Sequence, residues 1–176
     1  MSTRIVLIRA VNVGGAKLPM ADLRSIATEL GATDVSTYIA SGNLLCTPPE
    51  APDVFDRELE KAIESRFGYF REVISRSRDE YADALDAHPF EVTEPKFSYV
   101  YALTGAPDET KAAEFEARSF GGEQLKVIGR DLHIRYDRGV GESKLSAPII
   151  AKGLGVTGTG RNLLTVRKLI DLADQT

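Results

Sequence analysis

Apolar residues in the stretch 4–11 fall at both parities, with Ile5 and Leu7 on one face and Val6 and Ile8 on the other. A strand patterned this way is covered on both sides and belongs inside a sheet. A polar, glycine-bearing loop follows, and Pro19 opens a helix in which Met20, Leu23, Ile26, Ala27 and Leu30 recur at helical spacing. Gly31 supplies its stop. Residues 35–39 and 44–47 read as short strands around the Ser41-Gly42-Asn43 turn. Asp53 is the expected cap of the next helix, whose stripe is Phe55, Leu59, Ala62, Ile63 and Phe67, closed by Gly68. Residues 69–74 give a fourth strand. Ser77-Arg78-Asp79-Glu80 then has the spacing of a capping box for a helix through Leu85.

The second half runs through the same order. A strand spans 97–103, a weakly amphipathic helix 108–118, and two strands at 125–128 and 132–136 flank the Gly129-Arg130-Asp131 turn. Ser143 or Ser146 caps a helix ending at Leu154, a short strand covers 156–159, and a last helix starts behind Asn162. Equivalent landmarks lie 92, 87 and 84 residues apart (Ile5 to Phe97, Gly42 to Gly129, Leu85 to Leu169). The offset shrinks steadily, as a duplication with shorter second-half helices requires. The expected fold class is therefore α+β. It comprises two tandem ferredoxin-like βαββαβ halves, residues 1–92 and 93–176, each with an extra helix.

With 176 residues, 43% of them hydrophobic, the chain can bury a real core. No apolar run nears the roughly 18 residues of a membrane helix, so no membrane partner is expected. One cysteine, Cys46, excludes an internal disulfide, and two histidines cannot build a His/Cys metal cage. A cytoplasmic protein without metal or cofactor is the expectation. The net charge of −4 disfavours a duplex-DNA binder, but the distribution is uneven. Between Lys126 and Lys168 nine basic residues stand against three acidic ones, a balance of +6. Ordinary solvated helix and strand faces account for such a count, and the functional reading is a region suited to an anion.

Few motifs carry chemistry. Gly153-Leu154-Gly155-Val156-Thr157-Gly158 has the letters of a dinucleotide fingerprint, but a helix precedes it where the mechanism needs a strand. The glycines read as a helix stop and a turn. The glycine loop 139–144 lacks the order of a phosphate-binding P-loop, yet it sets Ser143 and Lys144 at a helix start. Phe97, Tyr99 and Tyr101 share one strand face, expected to be buried against the other half rather than to stack on nucleic acid. Cys46 reads as a core thiol, His133 as a surface residue, and the carboxylates Asp53, Asp56, Glu58, Glu60 and Glu64 as a solvated helix face.

Three stretches carry a resemblance. These are Leu7-Ile8-Arg9-Ala10-Val11-Asn12-Val13-Gly14-Gly15, then Asp34-Val35-Ser36-Thr37-Tyr38-Ile39-Ala40-Ser41-Gly42-Asn43, and the segment from Ser143-Lys144-Leu145 to Arg161-Asn162-Leu163 and beyond. Together they resemble the bacterial family known as domain of unknown function 1697. Ala10 stands where a glycine is usual, and Leu163 where an aromatic residue is usual. The resemblance implies tandem ferredoxin-like halves and no established activity. Its signature residues are polar, and capping and turning account for Asn, Ser and Gly at such places. The functional alternative is a non-catalytic anion-binding module for a nucleotide or RNA phosphate, on a basic surface between the halves. Its candidate residues are Arg9, Asn12, Lys17, Ser41, Asn43, Ser143, Lys144, Arg161 and Asn162. The rival is a structural or interaction module holding a partner, a second copy of itself included. A metal-independent enzyme using Lys144 or Arg9 is a third option, with no general base in view.

Overall fold

The computed structural model describes residues 2–13, 15–138 and 143–176. Gly14 and residues 139–142, and with them most of the glycine loop before Ser143, lie outside the described residues. The chain divides into two compact units, one of Met1–Ala82 with Lys168–Thr176, the other of Asp83–Arg167. The fold is mixed α/β. Each unit is built on a four-stranded antiparallel sheet.

The first unit runs β1 (Arg4–Ile8), α1 (Met20–Glu29), β2 (Thr33–Thr37), β3 (Asn43–Thr47), α2 (Pro52–Phe67), β4 (Val73–Ser77) and the start of α3 (Arg78–Asp86), which passes into the second unit's grouping at Asp83. The sheet order is β2-β3-β1-β4, and every neighbouring pair is antiparallel. β1 is interior, as its two-sided pattern requires. Val6, Ile8, Leu44 and Cys46 bury one face against Leu23, Ile26, Phe55, Leu59 and Ile63 of the helices. Each such side chain contributes about 1.5–3 kcal/mol on full burial. Cys46 is a core thiol, its pKa pushed up to about 12 by burial and then by Asp56.

The capping box forms. The Ser77 N–H donates to Glu80 Oε1 at 2.8 Å, and the Glu80 N–H to Ser77 Oγ at 3.0 Å. Asp53 does not cap α2. Pro52 takes the first helical position, which holds Ala51 extended as the N-cap and leaves Asp53 inside the first turn. The fourth strand starts at Val73 rather than at Tyr69, because the Tyr69 hydroxyl is drawn to the Lys17 carbonyl and Phe70 points to solvent.

The carboxylates of α2 expected to be solvated divide: Asp53 and Glu64 are exposed and Glu58 is half-buried, but two are not solvated. Asp56 and Glu60 are buried. β4 is an edge strand, and α2 supplies the groups its backbone lacks. Glu60 accepts the Val73 N–H at 2.8 Å, Arg57 donates to the Val73 carbonyl at 2.7 Å, and the two side chains pair at 2.9 Å. Asp56 accepts from Ser75 Oγ at 2.6 Å, and Ser75 in turn accepts from Arg4 at 3.0 Å. Burial pushes the Asp56 carboxyl up to about 6, against the pull of Ser75, Arg4 and Arg57.

The second unit runs β5 (Ser98–Leu103), α4 (Glu109–Glu116), β6 (Gln124–Ile128), β7 (Asp131–Arg135), α5 (Ala147–Leu154) and β8 (Gly158–Asn162), before α6 (Leu163–Asp174), which enters the first unit's grouping at Lys168. Its sheet order is β6-β7-β5-β8, again antiparallel throughout. β5 is interior. Glu116 does for edge strand β6 what Glu60 does for β4, accepting the Val127 N–H at 3.1 Å. Ser146 holds the N-cap position of α5 without a side-chain bond, Pro148 follows in the first turn, and left-handed Gly155 ends the helix. The dinucleotide-like letters are thus a helix stop and a turn.

β8 begins at Gly158, later than its apolar pattern suggested. A Cβ on Gly160 would lie 2.5 Å from the Tyr101 ring, so the bare backbone lets that ring lie across the strand. The aromatic row therefore does not wait for the other half. Phe97, Tyr99 and Tyr101 pack on their own unit's core, Tyr99 edge-on to Tyr136 at 5.3 Å. His133 is also not a surface residue. β7 is interior and the ring is fully buried, its Nδ1 2.9 Å from that of His88. One ring donates and the other accepts, so the accepting Nδ1 carries no proton. Burial lowers both pKa values, and for His133, with His88 beside it, to about 4. No helix among the described residues is long and apolar enough to cross a membrane.

Candidate functional site

Five of the nine candidate residues meet at one end of the first unit's sheet. β1 ends there and β3 and β4 begin there, since Leu7 pairs with Asn43 and Ile8 with Val73. Three loops close this end: β1–α1, β2–β3 and α2–β4. Asn12 binds the first two together, donating from Nδ2 to the Leu18 and Ala40 carbonyls while its Oδ1 accepts the Leu18 N–H. Asn43 holds the β2–β3 turn from inside, donating to the Tyr38 carbonyl at 3.0 Å and to Ser41 Oγ at 2.9 Å. Asn12→Ala should cost about 1–3 kcal/mol, because it leaves part-buried backbone groups unpaired. Urea unfolding of the variant measures it.

The third loop joins through Tyr69 and Arg71. The Tyr69 hydroxyl donates to the Lys17 carbonyl at 2.6 Å, the Arg71 guanidinium lies 5.0 Å from the centre of the Tyr69 ring, and Arg71 Nε donates to the Ala10 carbonyl at 3.2 Å. Arg9 pairs with Glu72 at 3.4 Å, while its buried Nε has no acceptor among the described residues. Lys17 and Arg71 have no carboxylate partner among the described residues. Three cations thus reach one end of the unit, and a single carboxylate offsets them.

The backbone here is held in costly conformations. Ala10, Asn12 and Ile39 have φ of 51°, 58° and 48°, in the left-handed region that a β-branched residue rarely adopts. For Ala10 and Ile39 this costs roughly 1–3 kcal/mol each, less for Asn12, and it persists only where the surroundings over-determine it; such strain clusters at functional sites. Val13, Ile39 and Phe70, one from each loop, are exposed.

The other four candidates belong to the second unit. Ser143 Oγ accepts the Leu145 N–H at 3.0 Å, and Asn162 caps α6 by accepting the Thr165 N–H at 2.9 Å. Lys144 is exposed. Arg161 is buried, its guanidinium donating to Thr159 Oγ1 and the Gly160 carbonyl. The sequence reading missed Tyr69, Arg71 and Glu72, which it placed inside a strand. The available signal was the Phe67-Gly68-Tyr69-Phe70 run, with helix-ending Gly68 directly before two aromatics. Among the described residues no group of three or more His, Cys, Asp or Glu side chains is placed to hold a metal ion.

The loop end carries the first two signature stretches, and comparison with known proteins bears on both. Residues 1–133 match the model of a family described as a protein of unknown function, domain of unknown function 1697. The chain belongs to this family. Among solved structures it is similar to a conserved bacterial protein from Streptococcus pneumoniae, with 21% identity, a TM-score of 0.72, and 98% of each chain covered. At that identity the likeness speaks for the fold alone. No curated protein matches the chain.

Proposed function

We propose that this member of the family is a non-catalytic anion-binding module of the cytoplasm, and that its ligand sits on the loop end of the first unit. The ligand class is a nucleotide or RNA phosphate. One observation carries the reading. Lys17, Arg71 and Arg9 come from two loops fastened together through Tyr69 and the Ala10 carbonyl, and only Arg9 has an ion-pair partner among the described residues. Cations in excess of their counter-charges suit phosphate, and Arg71, held by the Ala10 and Phe70 carbonyls, presents a flat guanidinium beside the Tyr69 ring. Asn12, Ser41 and Asn43 serve by shaping the loops. The fold supports a finer reading too. The order β2-β3-β1-β4, repeated as β6-β7-β5-β8, is that of a split βαβ unit, which favours tandem ferredoxin-like halves near residues 1–92 and 93–176.

A thermal-shift screen of the full chain against nucleotides, phosphosugars and short RNAs tests the function. A phosphate-bearing ligand at about one hundred times its Kd adds about 2.7 kcal/mol and raises Tm. No shift with any of them refutes the proposal. The second reading is a module that docks a protein partner, a second copy included, and exposed Val13, Ile39 and Phe70 at the same end favour it. It requires concentration-dependent association that Ile39→Asp weakens.

A further inference from the structure

We infer that the second unit carries a separate pocket, between α4 and α5, for a small organic anion with a flat apolar body. The cavity holds about 470 Å³, within the span of about 300–1,000 Å³ usual for small-molecule sites. Its apolar lining is Phe115, Ile149 and Gly153, and its charged lining is Lys111, Arg118 and Lys152 with Glu114 as the one carboxylate. Gly153 is what lets the two helices approach, because a Cβ there would run into the Phe115 ring.

Two of the three cations are held in place. The Arg118 guanidinium lies 4.9 Å from the centre of the Phe120 ring and 5.7 Å from that of Phe115. Lys111 crosses the end of α5, its Nζ 3.0 Å from where a Cβ on Gly155 would be. None of the three has an ion pair with a carboxylate among the described residues. Phe115 is itself buried beneath Gly153, so the apolar part of a ligand would lie on Ile149 and the bare Gly153 backbone at the edge of that ring, and a phosphate or carboxylate on it meets unneutralised charge. Neither half of such a ligand suffices alone: the floor is too small for a neutral apolar molecule, and the exposed cations too screened for a bare anion.

Amide NMR of the full chain tests the pocket, with adenosine 5′-monophosphate, 2-naphthoate, adenosine and inorganic phosphate as probes. The nucleotide or the naphthoate should produce saturating shifts at residues 111–118 and 149–153, and which of them does so assigns the head group. Adenosine and phosphate should bind there roughly tenfold more weakly or worse. Lys152→Glu, on an exposed side chain, should keep Tm and weaken binding about tenfold. The inference falls if neither organic anion moves these amides, if adenosine equals its monophosphate, or if Lys152→Glu binds unchanged. Shifts confined to the loop end of the first unit would also overturn it, while leaving the proposed function standing.

Discussion

Gly42→Ala should lower the unfolding free energy by about 3 kcal/mol or more, one of the largest effects a single methyl can have here. Two costs combine. Gly42 has φ +87°, where alanine is strained by roughly 1 kcal/mol. A Cβ would also lie 2.7 Å from the Ile8 carbonyl oxygen and 2.7 Å from Val11 Cγ2, the first of them backbone that cannot swing away. The Ile8 N–H donates to the Gly42 carbonyl at 2.9 Å, so separating the two segments also loosens the sheet end that carries the loops. Gly15→Ala is the control. Its φ is +91° but nothing lies within 4 Å of the added methyl, so it should lose only the strain, about 1 kcal/mol. Urea titration of both variants measures the difference, and equal losses would mean that the turn yields and the close approach is not rigid.

The second large effect is a pH dependence in which two buried groups oppose each other. His133 has a folded pKa near 4, below its ordinary value of about 6.5. Its contribution is therefore intact above about pH 6.5 and is lost as pH falls toward 4, at about 1.4 kcal/mol per pH unit. Asp56 has a folded pKa near 6, above its ordinary value of about 3.9. The folded state holds that proton more tightly, so stability rises as pH falls from above 6 to about 4. Glu60, also raised by burial, acts in the same direction as Asp56, and His88, also lowered by burial, acts in the same direction as His133. Wild type should change little between pH 6.5 and 4.5. Asp56→Asn exposes the histidine slope and should lose about 2 kcal/mol over that interval. His133→Leu exposes the carboxylates and should become more stable relative to wild type as pH falls. Denaturant midpoints at the two pH values measure both, and curves parallel to wild type would contradict the assignment.

Much of the scaffold was legible because local chemistry dictated it. β1 declares itself interior by apolar residues at both parities, and Ser77 with Glu80 announces the start of α3 at the one spacing a capping box permits. What escaped depended on partners far along the chain. Asp56 and Glu60 look like a solvated face among neighbouring charges, yet they flank Phe55, Leu59 and Ile63 and turn toward an edge strand whose position no helix pattern reveals. His133 and Arg161 are buried on their strands, and a polar residue alternating along a strand resembles an exposed one in sequence.

The candidate site was half legible. Its signature residues were visible, and Arg9, Asn12, Lys17, Ser41 and Asn43 do gather at one end of a sheet. Their roles differ, however: the amides brace loops, while the free charge comes from Lys17 and from Arg71. Arg71 was hidden because residues 69–74 are regular enough to pass for a strand. Only the pairing of Ile8 with Val73 shows where that strand begins.

The most direct measurement is an amide NMR titration of the full chain with inorganic pyrophosphate at low salt, repeated on Lys17→Glu/Arg71→Glu. Wild type should show saturating shifts in residues 9–18 and 69–72, and the double variant should lose them while keeping its fold, because neither charge has an ion-pair partner to strand among the described residues and the Arg71 bond to the Ala10 carbonyl is exposed. Saturating shifts that survive the double variant, or no shifts at that end at all, would contradict an anion site built on these loops.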